Sequence, residues 1–313
     1  MGIYASMAKI MIENRAAYVP RGRAVTLGVH HFNYDLQELE GIFAEMAVEP
    51  NRDVAPIRNV RIKNSWIKPD ALDAATLFHR LGFSHVDELD VDAYEGASVL
   101  HDMNEPLPEA LHGAYDLVFD GGTIEHVFNV KEAMFNAARL LKPGGTVIHV
   151  HPLSGWINHG FFQICPTFLS DFYSINGFTG LKGYILQINR VNGTRVRYWQ
   201  IPDFASEHFL FNDFACKTVM IFFARKVTSE PLKIPIQGTY RAMFSRPEST
   251  FKAEAQNPLI ARSEPRITRL SPRGALWRLM ARVLPIQAFS RLHALYIEDK
   301  FQRSIRARSF EKL

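Results

Sequence analysis

The sequence predicts an α/β fold, with a doubly wound, mostly parallel sheet, antiparallel strands at one edge and a helical C-terminal extension. Two observations carry this prediction. Between residues 24 and 151, short apolar runs alternate with longer segments of helical periodicity. Beyond Pro152 the alternation stops, and two strand-like runs flank a turn dipeptide. Alternating strands and helices favour a parallel sheet with helices on both faces.

Each parallel element follows from a local pattern. The first strand, 24–28, is short, partly β-branched and closed by glycine. Apolar residues at three- and four-residue spacing predict a helix over 36–46, and Pro69 with Asp70 predicts the start of a second helix that reaches residue 81. Residues 50–69 are expected to form an insertion. The later predicted elements are strands 85–90, 98–100 and 115–119, a helix over 130–141, and a strand over 146–151.

The antiparallel part is predicted from a turn. Residues 184–190 and 195–200 flank Asn192 and Gly193, a pair that supplies the positive φ angles of a tight hairpin. Residues 218–224 form another continuous apolar run. We therefore expect the hairpin and this strand to extend one edge of the sheet.

The composition divides the chain. Residues 1–225 are expected to form the main domain, the proline-rich stretch 226–272 a linker, and residues 273–313 a basic helical tail. From Arg262 onward, 12 lysines and arginines stand against four acidic residues, whereas the whole chain carries +4. Because the positive charge belongs to the tail, the main domain lacks the basic face that nucleic-acid binding requires. The tail's apolar cluster among arginines leaves open peripheral membrane contact, docking on the main domain, or a homodimer.

Several classes of protein are excluded by composition. An apolar fraction of 47% with 22% charged residues is the balance of a globular chain rather than a disordered one. Two cysteines are too few for a disulfide framework. No run of eighteen apolar residues occurs, and the first residues lack the pattern of a signal peptide. We therefore expect a cytoplasmic protein.

The candidate ligand site lies where parallel strands end, because ligands of open α/β sheets bind outside the carboxyl ends of the strands. Gly28 follows the first predicted strand and would let a ligand approach the backbone closely. Asp90 ends the second and could accept hydrogen bonds from both ribose hydroxyls. Asp102 follows the third and could accept one from an adenine amino group. This set suits an adenosine, although Gly28 and Asp90 could equally serve ordinary turns.

Residues 115–126, followed by a helix and by Leu-Leu-Lys-Pro-Gly-Gly at 140–145, resemble two motifs of class I S-adenosylmethionine-dependent methyltransferases. A looser similarity covers about residues 24–224. The resemblance implies a Rossmann-like fold, S-adenosylmethionine as cofactor and methyl transfer to an acceptor. It adds Met103, Asp120 and Gly121 to the expected cofactor-binding residues, with Asp102 and Met103 flanking the adenine.

The loop after the first strand departs from the family pattern. The usual run of glycines is replaced by Thr-Leu-Gly-Val-His-His at 26–31, in which Gly28 alone remains. The whole pattern is similar to a bacterial subgroup with a shortened loop, linked to modification of cell-surface glycans or small molecules. The expected function is therefore methylation, at oxygen, of a small molecule or a glycan precursor. The alternative is a binding or regulatory protein that keeps the fold without turnover.

Methyl transfer to a hydroxyl benefits from a base, and imidazole titrates near neutrality. His126 lies just after the fourth predicted strand and His159 in a segment after the fifth, with His159 the favoured base. Asp120 is the alternative acidic group, while Glu125 could neutralise a helix start or hold the loop. His149 and His151 share a strand face and could chelate a metal together with His159, but no ligand spacing supports this. No metal is therefore expected.

Overall fold

The computed structural model describes residues 2–18, 22–32, 34–60, 67–188, 196–201 and 217–238. One compact unit comprises Met1–Phe204 and Ala215–Pro235. Its helices are α1 (Ala5–Glu13), α2 (Leu36–Glu45), α3 (Ala74–Leu81), α4 (Val130–Leu140) and α5 (Pro166–Ile175). Its strands are β1 (Arg23–Leu27), β2 (His31–Phe32), β3 (Leu72–Asp73), β4 (His85–Asp90), β5 (Val99–Leu100), β6 (Tyr115–Asp120), β7 (Leu141–Ser154), β8 (Phe178–Ile188), β9 (Val196–Gln200) and β10 (Lys217–Lys226).

Eight strands form one mixed sheet in the order β5-β4-β1-β6-β7-β10-β8-β9. The five strands from β5 to β7 pair in parallel, and β10, β8 and β9 continue the sheet in the antiparallel sense. The strand order reverses between β1 and β6, which is where open α/β sheets bind ligands. The predicted doubly wound, mostly parallel sheet is confirmed, including the antiparallel extension after residue 152.

The sheet separates two apolar cores. On one face, α1, α2 and α3 pack against alternate strand residues such as Leu117 and Phe119. On the other face, α4 and α5 pack against the intervening residues, such as Val118 and Val147. Both faces of the central strands are thus buried, which explains their near-continuous apolar sequences.

Side chains at the helix ends set several boundaries. Asp35 and Glu38 form a reciprocal capping box at the start of α2. Asp73 caps α3 by accepting a hydrogen bond from the Ala75 amide, and Gly82 ends that helix at φ 109°. The sequence placed the start of α3 at Pro69 and Asp70, which is wrong by about one turn, because residues 72–73 pair with β2 before the helix begins.

The strand predicted over 146–151 is longer in the structure. Leu141 pairs with Tyr115 and Thr146 pairs with Leu117, so the intervening Lys-Pro-Gly-Gly segment is accommodated as an irregularity within β7. Helices α1 and α5 were not predicted. The aromatic residues Phe168, Phe172 and Tyr173 lie on or beside the buried face of α5.

Several predictions fall outside the described residues: the turn at Asn192 and Gly193, most of the linker, and the whole basic tail. Those predictions remain untested. Within the part of the chain that the structure describes, no helix is both long enough and apolar enough to span a bilayer.

Candidate active site

Four parallel strands end at one edge of the sheet and bring the predicted site residues there. Leu27 of β1 pairs with Leu89 on one side and with Asp120 on the other. Asp90 pairs with Leu100, and Asp120 pairs with His149. The segments that follow these strands therefore lie side by side, as the sequence predicted.

Gly28 and Gly121 permit close packing between the loops after β1 and β6. Gly28 has φ +83°, and a Cβ there would stand 2.8 Å from Oγ1 of Thr123. A Cβ on Gly121 would stand 2.7 Å from the ring of His30. That ring is buried and donates from Nε2 to the Leu27 carbonyl at 2.9 Å. The side chain of His30 thus lies beside both glycines, in the loop that lacks the family's glycine run.

The three residues expected near the nucleoside occupy different environments. Asp90 is half-buried at the end of β4 and accepts a hydrogen bond from the Val91 amide. Asp102 is exposed, and its Oδ1 accepts from both the backbone and the side-chain amide of Asn104, which lowers its pKa. Met103 is buried in the core that α4 covers. The sequence expected Asp102 and Met103 to act together, whereas their exposures differ sharply.

Asp120 is fully buried, and both carboxylate oxygens have internal partners. Oδ1 accepts from the backbone amides of Thr123 and Ile124 at 2.9 and 3.3 Å. Oδ2 lies 2.8 Å from Nδ1 of His149 and 3.0 Å from Nε2 of His151. Asp120 therefore has no exposed oxygen with which to contact a ligand, although the sequence expected it to bind cofactor or act in catalysis.

The buried network extends in two directions from Asp120. Nε2 of His149 lies 2.6 Å from the hydroxyl of Tyr173 on α5. Nδ1 of His151 lies 2.9 Å from Oε2 of Glu125, which is also fully buried. Glu125 belongs to the short turn Ile124–His126 directly after β6. The network thus joins α5, β7, β6 and this turn.

Charge in the network follows from the pKa shifts. Burial opposes protonation of His151, but the fields and hydrogen bonds of Asp120 and Glu125 raise its pKa. Burial would raise the pKa of Asp120, yet His151 and then His149 hold it well below the usual range. Burial lowers the pKa of His149 and raises that of Tyr173. These directions favour an imidazolium at His151 beside an ionised Asp120, with His149 and Tyr173 neutral.

His159 lies where this network reaches the surface. Its side chain is 30% exposed, and its Nε2 is 3.7 Å from Oε1 of Glu125. The rings of Trp156 and His126 have centroids 5.1 and 5.0 Å from that of His159. Burial and the neighbouring His126 lower the pKa of His159, which leaves the ring neutral at physiological pH.

The backbone fixes the loop that carries His159. The amides of Phe161 and Phe162 both donate to the Glu125 carbonyl, at 2.9 and 3.2 Å. A Cβ at Gly160 would stand 2.8 Å from the same oxygen, so only glycine allows this approach. The indole of Trp156 donates to the Thr218 carbonyl on β10. His126, His159 and Glu125 are therefore brought together, as are Asp120 and the paired histidines of β7.

Among the residues that the structure describes, two groups of side chains have donor atoms within 4.8 Å of one another, a spacing that a metal ion could bridge. The first is Asp120, His149 and His151, whose donor atoms already pair with one another or with Tyr173 and Glu125. The second is Glu125, His126 and His159, which includes the histidine–carboxylate contact described above. The sequence expectation of no metal remains a prediction.

Sequence reasoning missed the role of the buried residues. It considered His149 and His151 as metal ligands, and it did not predict the hydrogen bonds that join them to Asp120, Glu125 and Tyr173. The alignment of β6 with β7 places Asp120 opposite His149, and this register could have indicated the pairing. No sequence signal indicated that α5 would bring Tyr173 to the same point.

Comparison with known proteins supports the sequence motifs. Residues 77–149 match the family model described as a methyltransferase domain. No curated protein matches the sequence.

Solved structures resemble the chain only distantly. A possible histamine N-methyltransferase from Thermotoga maritima is 14% identical, covers 71% of this chain and 90% of its own, and has a TM-score of 0.34. A putative methyltransferase from Bacillus halodurans is 11% identical, with 70% and 99% covered and a TM-score of 0.36. The CMeT domain of the citrinin polyketide synthase is 10% identical, with 72% and 52% covered and a TM-score of 0.38. Such likenesses say nothing about the acceptor.

The matched region runs from α3 to the middle of β7 and contains both motifs on which the resemblance was based. The sheet order is that of a doubly wound α/β fold, and residues 77–149 within it carry a methyltransferase domain. This match agrees with the resemblance that the sequence motifs indicated.

Proposed function

We propose that the protein methylates a hydroxyl group of a small molecule or glycan precursor, with His159 as the base. The observation that supports this is the position of His159, a part-exposed imidazole 3.7 Å from a buried carboxylate at the ligand-binding edge of the sheet. A hydroxyl is a poor nucleophile until its proton is removed, and a neutral imidazole near such an edge can remove it. An amine that is neutral at working pH would not need this base.

The strand ends contain groups that fit the cofactor. Gly28 lies at φ +83° against the loop after β6, and its amide donates to the Leu89 carbonyl next to Asp90. We propose that Asp90 accepts from the ribose hydroxyls and that Gly28 and Gly121 line the cleft. Asp102 is exposed and could meet the adenine amino group, and the exposed side chain of Leu100 stands beside Asp90 for contact with a flat ring. When bound, S-adenosylmethionine supplies an electrophilic methyl group.

The residues of the chain contribute orientation and proton transfer. His159 receives the hydroxyl proton as the acceptor oxygen gains the methyl group. Asp120 acts from the interior, because its carboxylate holds His149 and His151 rather than a ligand. Phe128 and Phe161 are both exposed, and their ring centroids are 5.6 Å apart. Phe128 follows His126 by two residues and Phe161 follows His159 by two residues, so this aromatic pair supports an acceptor with an apolar part.

Turnover is the test of this proposal. Purified protein, incubated with S-adenosylmethionine and a panel of hydroxylated small molecules and glycan precursors, is expected to release S-adenosylhomocysteine with one acceptor class. Mass spectrometry of the product and its hydrolysis pattern then distinguish O-methyl from N- or C-methyl groups. A product methylated at nitrogen or carbon would contradict the proposal, and tight cofactor binding without turnover would favour the binding-protein alternative.

Asp90→Ala is expected to weaken S-adenosylmethionine binding at least tenfold. Charge-assisted hydrogen bonds of the kind proposed contribute about 1.5–3 kcal/mol. Isothermal titration calorimetry measures the dissociation constant, and Asp92→Ala is the matched control because its carboxylate accepts from a nearby loop amide. If folded Asp90→Ala and wild type bind S-adenosylmethionine with equal affinity, Asp90 does not contact the ribose hydroxyls.

The basic tail is the second element whose role we propose from sequence. We propose that residues 273–308 contact the inner face of the membrane, because apolar residues there alternate with arginines. Deleting them is expected to abolish salt-sensitive co-sedimentation with anionic vesicles and to leave cofactor affinity unchanged. Loss of a dimer upon deletion, without vesicle binding by the full chain, would contradict this role.

A further inference from the structure

Two buried atoms on facing segments lack a hydrogen-bond partner among the described residues. They are Oε1 of Glu125 and Nε2 of His159, and they lie 3.7 Å apart. Leaving a carboxylate oxygen buried and unpaired costs free energy, so such atoms require an explanation. Their closeness to each other supplies this explanation.

We propose that Glu125 is a positioning residue, whose Oε1 accepts a hydrogen bond from Nε2–H of His159 and turns Nδ1 toward the acceptor hydroxyl. This inference rests on the proposed function of His159. The present separation is longer than a hydrogen bond, and catalytic hydrogen bonds are often long in the absence of substrate and shorten in the reacting complex. Nε2 is the buried nitrogen of the ring, which leaves Nδ1 as the nitrogen for substrate.

Glu125 is held firmly enough for this role. Its second oxygen, Oε2, is 2.9 Å from Nδ1 of His151. Its backbone carbonyl accepts the amides of Phe161 and Phe162, in the same loop as His159. One residue therefore fixes both the loop that carries the base and the carboxylate that faces it, so the ring and the carboxylate keep their relative positions.

The surroundings of Glu125 are fixed by His151, which lies between Asp120 and Glu125 and contacts both carboxyl groups. When His159 takes the proton from the acceptor hydroxyl, the new imidazolium forms next to the Glu125 carboxyl group. The acceptor oxygen takes the methyl group from the sulfonium sulfur, which keeps the electron pair of the broken bond, and the hydroxyl proton moves to Nδ1 of His159.

Other charged groups near His159 lower its pKa, whereas Glu125 raises it. His126, whose ring is 5.0 Å away, and Lys217, whose ammonium lies over the ring of Trp156, both disfavour a second positive charge. Glu125 is the group that favours it. Removing the Glu125 charge should therefore make His159 harder to protonate.

The tautomer of His159 tests the proposal without any turnover. Nitrogen-15 NMR of the full-length protein, with the signals of His159 assigned by their loss in His159→Gln, reports which nitrogen carries the proton when the ring is neutral. We expect Nε2–H. A neutral ring protonated mainly at Nδ1 overturns the assignment even if the enzyme is an active methyltransferase, so this failure differs from failure of the proposed function.

Glu125→Gln provides a kinetic test. We expect kcat to fall about 10- to 100-fold with a nearly unchanged KM for the acceptor, a part of the factor of roughly 10²–10⁴ that a base contributes. The rise of kcat with pH should move to lower pH. Glu125→Asp, which keeps the charge, should restore part of the rate.

Glu132→Gln is the matched control, since Glu132 pairs with Arg139 on α4. It should leave the pH profile unchanged. A folded Glu125→Gln enzyme with an unshifted profile contradicts the proposal, as would activity that a chelator abolishes and Zn²⁺ restores. If Glu125→Gln does not fold, the wild-type tautomer still decides.

Discussion

Replacing His159 with alanine is expected to lower turnover on a hydroxyl acceptor by about 10²- to 10⁴-fold, or roughly 3–5 kcal/mol in activation free energy. The base is lost, while the strand-end residues proposed to bind cofactor are unchanged, so cofactor affinity should stay near that of wild type. Because burial and His126 lower the pKa of His159, the wild-type rate should rise with pH through a value below 6.5. The variant should lose that rise.

Two further histidine variants give the comparison. His126→Ala removes a neighbour that disfavours protonation of His159, so the pKa of His159 should increase. The pH at which the rate rises should therefore move to a higher value. His85→Ala should change neither rate nor profile, because His85 begins β4 at the opposite end of the strand and pairs with Asp87. A His159→Ala enzyme that keeps most of its turnover on a hydroxyl acceptor contradicts the assignment of the base.

His151→Phe is expected to lower the free energy of unfolding by about 3–5 kcal/mol. The substitution keeps a ring in the same space but leaves Asp120 and Glu125 buried without the positive charge between them. Breaking a buried ion pair by removing one partner typically costs this much, because a charge is left uncompensated. Urea unfolding followed by tryptophan fluorescence and circular dichroism measures the change.

The pH dependence of stability should also change. In the wild type the pKa of His151 is raised above its ordinary 6.5, so its contribution is complete below that pH and is lost as pH rises through the folded-state value. The pKa of Asp120 is depressed below 3.8, so its contribution is present above that pH and is lost as pH falls. In His151→Phe the alkaline loss should disappear, and acidification should stabilise the variant because a carboxylate can take up a proton.

His79→Phe is the matched substitution. His79 is buried, and its ring donates to the Phe83 carbonyl without a charged partner in that contact. His79→Phe should lower the free energy of unfolding by about 1 kcal/mol, because one hydrogen bond is lost. A His151→Phe cost as small as this, with an unchanged pH dependence, would mean that His151 is neutral in the folded protein.

The sequence predicted most of the sheet because its strands are buried on both faces. The predicted strands over 85–90 and 115–119 agree with the structure within a residue. The run over 115–119 is largely apolar, whereas 85–90 was placed by the regular order of elements after Gly82. The start of α3 was misplaced because a two-residue strand pairs with β2, and such short pairing leaves no periodic pattern. The capping residue Asp73 marks the start of α3 more accurately than Pro69 and Asp70 do.

The candidate site was predicted in position but not in chemistry. Strand ends indicated Gly28, Asp90, Asp120 and the histidines after β6 and β7, because those positions follow from chain order. Whether Asp120 faces a ligand or the interior depends on its partners from β7, and residue spacing along one strand does not specify them. The link from Glu125 to His159 depends on a loop whose path is set by two amides and a glycine.

The buried contacts among Asp120, Glu125 and His151 also restrict which substitutions this sequence can accept during evolution. Asp120, Glu125 and His151 share one charge balance, although they lie on two strands and a turn. A single replacement that removes His151 leaves two buried acids without a positive partner, whereas exchanging all three residues for neutral ones together avoids this. These three positions should therefore be inherited as a unit, and related chains that lost the histidine should have lost both acids with it.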